Sequence, residues 1–448
     1  ATNMYNTAVG ADAGYAMTTG VQNTLVGGLA GDAITTGVNN VALGYNSLST
    51  NILSHNNVAI GHTALNVHNV ATAASGYNVA VGSSAGAAVT TGVQNTLIGG
   101  LAGDALTDAD FNVAIGKGSL SSDTQGHRSV AVGHNALTNQ NFTTSIDSYN
   151  TAVGFSAGDA MTTGVQNTLI GGLAGDALTD ADYNTAVGYL ALSSDTLGSR
   201  SVALGYGALT VQNFTTATDA YNVAVGQSAG ASVTTGTVNT LIGGLAGDAL
   251  TSGNSNVAVG ASALTTDTLG DRNVAIGNEA LGTQNFTTAT DSYNTAVGYG
   301  AGTAVTTGIH NTLIGGTAGD ALITGQNNVV VGSSALTADT YGHSSTAIGH
   351  SALEAQNFTT STTSYNVAVG KNCGAAITTG VQNTLVGYAA GVALIDADYN
   401  TAMGTNALAN DTYGSKSTAI GTQALNTQDF TTATDAFNTA VGYQAGIN

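Results

Sequence analysis

The sequence predicts an all-β chain wound as a parallel β-solenoid, a β-roll. Three observations carry that expectation. A five-residue word ending in Gly, as in "NTAVG", recurs 25 times in 448 residues. Its spacing is regular: Gly10, Gly27, Gly44, Gly61 and Gly82 lie 17, 17, 17 and 21 residues apart, and this 72-residue block repeats six times before a short tail ending beyond Gly442. Within the word, residue types alternate with period two, the signature of a strand.

The strand comes first. One residue before the Gly stands an aliphatic (Val9, Val26, Leu43, Ile60), and three before it Thr or Val. Two before is Ala, or Leu in every second repeat of a block, and four before is Asn or Ser. Alternation separates two faces. The expectation is that the β-branched columns face the core and that the Ala/Leu column forms a flat apolar strip outside. Gly then marks a turn or a close backbone approach. A strand every 17 residues, with no helix-length segment between, is best met by one coil per repeat, so that like stacks on like. Asn would form a ladder. Twenty-five coils would make a rod of about 120 Å.

The rest of each coil also has a pattern. Four places after the Gly the residue runs Gly, Gly, Leu, Leu through a block (Gly86, Gly103, Leu120, Leu137). Seven places after it the Gly coils carry an apolar residue (Val89, Leu106) and the Leu coils a polar one (Asp123, Gln140). This predicts two coil shapes with constant core volume. Four extra residues in the fourth coil, in stretches such as "TQNFTTATDSYN", predict loops on one edge. The whole of 1–448 is expected to be one continuous repeat domain.

Composition narrows function. Gly is 62 of 448, there is no Pro or Trp, and charged residues are only 7%. A formal charge of −20 with six Lys and Arg argues against nucleic acid. No apolar stretch is long enough to span a bilayer, so no membrane insertion is expected. One cysteine, Cys373, excludes a disulfide framework. The chain has no initiator Met or signal peptide, which fits processing or a piece of a longer protein.

The words Asn-Thr-Ala-Val-Gly followed by x-x-Ala-Leu or x-x-Ala-Gly, as at Asn438–Gly446, resemble the β-roll repeats of phage and bacterial tail-fibre proteins and of trimeric autotransporter adhesin heads. The resemblance covers essentially the whole chain. It implies a left-handed β-roll, a homotrimer, and attachment at an extracellular or virion surface to a cell-surface glycan or protein receptor. Independently, an apolar strip running along the coils implies self-association. The alternative is a head-to-tail filament subunit with a matrix or surface role, since neither end carries an atypical capping coil.

No catalytic or cofactor constellation emerges, and a non-enzymatic structural protein is expected. The acidic pairs Asp108/Asp110, Asp180/Asp182 and Asp396/Asp398 are the weak Ca²⁺ candidates, though two carboxylates are few for a cation wanting six to eight oxygens. Asp32, Asp104, Asp176, Asp248 and Asp320 share one position four coils apart, too far to share an ion. The eight His residues stand at variable positions and read as solvated. Asp123, Asp195, Asp267 and Asp411 precede Arg128, Arg200, Arg272 and Lys416 by five residues and read as surface ion pairs. Ice binding is disfavoured because the Thr column is mixed with Val and is expected to face inward.

Overall fold

A computed structural model describes residues 4–447. The chain forms two compact units, Ala1–Asn222 and Val223–Asn448. Each is a parallel β-solenoid, and no helix occurs among the described residues. The first unit carries twelve three-residue motif strands, Thr7–Val9 to Val202–Leu204, and the second thirteen, Val223–Val225 to Thr439–Val441. Within each unit the strands pair in parallel with like over like: Thr168↔Thr185, Leu169↔Ala186, Ile170↔Val187.

The motif Gly is required by two constraints at once. Gly171 has φ +137°, and a Cβ there would stand 2.4 Å from the carbonyl oxygen of Gly188 in the next coil. Neither the dihedral nor the space admits a side chain.

The Asn ladder is present and points inward. Asn184 donates its backbone N–H to Asn167 Oδ1 at 2.9 Å. Asn167 Nδ2 donates across the coil to the Ala181 carbonyl at 2.8 Å. One side chain thus satisfies a neighbour's donor and a facing acceptor that would otherwise be buried unpaired.

That inward Asn reverses the expected strand orientation. Leu169 and Ala186 are fully buried, whereas Ile170 is 39% exposed. The Ala/Leu column is the core, and the Thr/Val and Val/Ile columns form the outer face. Asn and Ala/Leu stand two residues apart and must share a face. Ala or Leu fills that buried position in almost every coil, and Val330 does so once.

The two coil shapes each bury a bulky apolar side chain, Leu178 from one position and Leu192 from the other, and differ in polarity. A Cβ on Gly175 would meet Leu169 Cδ2 and Leu178 Cδ1, each at 2.8 Å. Where Leu192 takes that position, with φ 53°, the side chain fills the interior directly. The polar residues opposite, such as Asp195 and Gln212, are buried too rather than solvated.

The four-residue insertions form a second set of parallel pairings. Gly126–His127 of a third coil pairs with Ile146–Asp147 of the fourth, and Gly198–Ser199 pairs with Thr218–Asp219. The second unit repeats the arrangement, for instance Gly270–Asp271 with Thr290–Asp291. The first block has only a single bridge, His55 to Ser75.

Candidate functional surface

The outer face is the most extensive regular feature. Its two central columns contain Thr, Val, Ile, Leu and Met and not one charged residue. The second column is half-open to solvent throughout: Leu43, Ile98, Ile170, Ile242 and Ile314 all count among the exposed large apolar side chains. Backbone N–H and C=O groups of these strands are consumed by coil-to-coil pairing, so what the face offers is side-chain contact.

Beside this face runs a column of left-handed residues five before the motif Gly, including Phe111, Arg128, Tyr149, Tyr183, Arg200 and Tyr221. Here the cations find their partners. The Arg128 guanidinium lies 5.0 Å from the Phe111 ring and 5.8 Å from the Tyr149 ring, and it pairs with Asp147. Arg200 lies over Tyr183 and pairs with Asp219 at 2.9 Å. Lys416 does the same with Phe437 and Asp435. Each cation therefore clamps an inserted loop to the coil beneath it. The expected pairing with the aspartate five residues earlier does not occur.

Those aspartates are instead fully buried. Asp123 Oδ1 accepts the N–H groups of Gly126 and Phe142, both at 3.0 Å. Its Oδ2 accepts from Gln140 Nε2 at 2.6 Å, and Gln140 Oε1 accepts from Asn150 Nδ2. Burial pushes the Asp123 and Asp339 carboxyls above their ordinary range. Sequence spacing suggested the Arg because both recur with the block. The partner that matters, Gln140, lies one coil on and recurs with the same block, so recurrence alone could not choose between them.

The Ca²⁺ candidates are turned toward the preceding coil rather than around a common centre. Asp108 accepts from Thr91 Oγ1, and Asp110 Oδ1 accepts from the Val93 N–H at 2.7 Å. Asp180 and Asp182 accept from Thr163 and Val165, and Asp396 and Asp398 from Thr379 and Val381. Among the described residues no group of three or more His, Cys, Asp or Glu converges. Asp32, Asp104, Asp176 and Asp320 each keep one buried oxygen without a hydrogen bond, and burial raises all four.

His62, His134 and His350 are exposed as expected. His68 and His127 are not. His68 is fully buried where other blocks hold Gln; it touches Ser54 Oγ at 3.1 Å through Nε2, and burial lowers its pKa to about 4. Cys373 is buried with its thiol pushed up to about 12, inert at neutral pH. Open depressions lined by Asp12, Tyr15, Leu29 and Asp32, and by Ser262, Thr265, Glu279 and neighbours, hold no His, Cys or cation. No family model matches this chain, and no curated protein does either.

Proposed function

We propose that the protein is the non-enzymatic structural shaft of an extracellular fibre, assembled from several copies through its uncharged outer face. The observation that supports this is the composition of that face. A chain of net charge −20 keeps every charge off the two columns running along each unit, and contiguous apolar surface of this kind marks an interaction site. Because the face repeats coil by coil, a second copy meets like residues at every step. Three copies around one axis, each burying its face, is the assembly favoured by the resemblance to tail-fibre and adhesin repeats; lateral pairing of two copies is the other arrangement the same face allows. The role is reach and attachment at a cell or virion surface. No step of chemistry is assigned to it.

The test is the mass of the native particle by light scattering at micromolar concentration. A stable trimer is expected, and Ile170→Asp together with Ile242→Asp should convert it to monomer while leaving the β-sheet circular dichroism unchanged. A wild-type chain that is a monomer at that concentration ends the proposal.

A further inference from the structure

We propose that Asn141, Asn213, Asn285 and Asn357 are N-glycosylation sites. The proposal rests on the extracellular reading above. Each begins an Asn-Phe-Thr triplet, the Asn-x-Thr acceptor pattern, at the same place in the inserted loop of a fourth coil. Asn213, Asn285 and Asn357 are exposed and Asn141 is half-buried, while the Thr two residues on is exposed in all four.

The hydrogen bonding leaves the reactive atom free. Thr124 Oγ1 is shared between the Phe142 carbonyl at 2.7 Å and Asn141 Oδ1 at 3.1 Å, and Thr196, Thr268 and Thr340 repeat the pair of contacts to Phe214 and Asn213, Phe286 and Asn285, and Phe358 and Asn357. On each Asn the contact uses only the side-chain carbonyl oxygen. No hydrogen bond from the four Nδ2 amides is found among the described residues, nor from the hydroxyls of Thr143, Thr215, Thr287 and Thr359. The sixth block shows that the fold does not need the amide: Asp429 accepts from Thr412 at 3.0 Å in the same place. The carboxylate keeps the same contact there, so the contact does not require an amide. One further Asn-x-Thr, Asn410-Asp411-Thr412, is unlike these, because its Thr hydroxyl is engaged with the Phe430 carbonyl at 2.7 Å.

The donor required is a lipid-linked oligosaccharyl pyrophosphate, with its transferase, supplied by the producing cell. The Asn Nδ2 forms a bond to the anomeric carbon and loses one proton. The anomeric C–O bond breaks, and the lipid pyrophosphate leaves with the electron pair. In each unit the two sites are four coils apart, about 19 Å. Glycans spaced in this way would add bulky, solubilising groups along the inserted edge.

The experiment is intact and peptide mass spectrometry of full-length protein from its native cells, with surface location scored in parallel by protease shaving. The expected result is up to four equal mass increments above the bare polypeptide, located at these four Asn, with one increment lost in each of Thr143→Val and Thr215→Val. Surface-exposed protein bearing four unmodified Asn overturns the glycosylation and leaves the fibre reading intact. Unmodified protein found neither on the cell surface nor on released particles overturns both.

Discussion

At the scale of single residues, neighbours in one strand have opposite fates. Leu169 is buried in the coil interior, while Ile170 beside it faces out. Leu169→Ala should destabilise the protein by about 2–5 kcal/mol through the cavity it leaves. Ile170→Ala should change the stability of the isolated chain by no more than about 0.5 kcal/mol, as for other surface positions. Urea denaturation of both variants, in a monomeric background made instead with Ile98→Asp and Ile242→Asp on the same outer column, checks this; the reverse order would restore the inward β-branched orientation. Asn167→Ala is a second such test. It strands the Asn184 N–H and the Ala181 carbonyl, and two orphaned buried groups at about 1–3 kcal/mol each should lower the denaturation midpoint markedly.

At the scale of one block, the buried cluster between third and fourth coils governs pH response. The first block replaces Asp by Asn51 and Gln by His68. Asn51 Oδ1 still accepts the Ser54 N–H at 2.9 Å, but the Gln has changed with it, so carboxylate and Gln act as a pair. Asp123→Asn alone sets an amide N–H against Gln140 Nε2 and should cost about 1–3 kcal/mol at pH 7, which thermal melts will show; no loss would mean the second acceptor oxygen is not needed. His68 acts in the opposite sense. Its folded pKa of about 4 lies below the ordinary 6.5, so the unfolded chain binds the proton first. Stability is lost as pH falls through that window, by up to about 3 kcal/mol. His68→Gln, which installs the residue of the other five blocks, should raise the melting temperature at pH 4 and change it less at pH 7.5. Equal effects at both pH values would show that the imidazole's titration is not the cause.

For the molecule as a whole, the repeated acidic columns set the balance. Asp32, Asp104, Asp123, Asp176, Asp320 and Asp339 are all held above the ordinary 3.8 by burial. The folded chain then binds protons more readily than the unfolded one, so stability falls as pH rises from 3.8 through the raised values. Partial neutralisation of the −20 charge acts in the same direction, since it relieves self-repulsion. With His68→Gln removing the opposing contribution, the melting temperature should climb on acidification from pH 7 to 4. A steady fall over that range would show that these carboxylates are better stabilised as anions than their burial implies.

The sequence by itself determined the fold class, the coil length, the Asn ladder and the edge that carries insertions, because each is a matter of period along the chain. It also showed that a bulky core residue comes from one of two positions, as Leu178 and Leu192 illustrate. What it left to the tertiary structure was the choice of face and the choice of partner. Period-two alternation is symmetric between in and out, and β-branched residues suit either face; only the narrow coil interior, with Asn167 reaching across it, places Ala186 inside and Val187 outside. Asp123 and Arg128 likewise share a period, but their contacts are made between coils. One coil's stacking on the next gives the buried carboxylate to Gln140 and the guanidinium to Asp147, since a charge in the interior is tolerated only where fixed amide donors meet it.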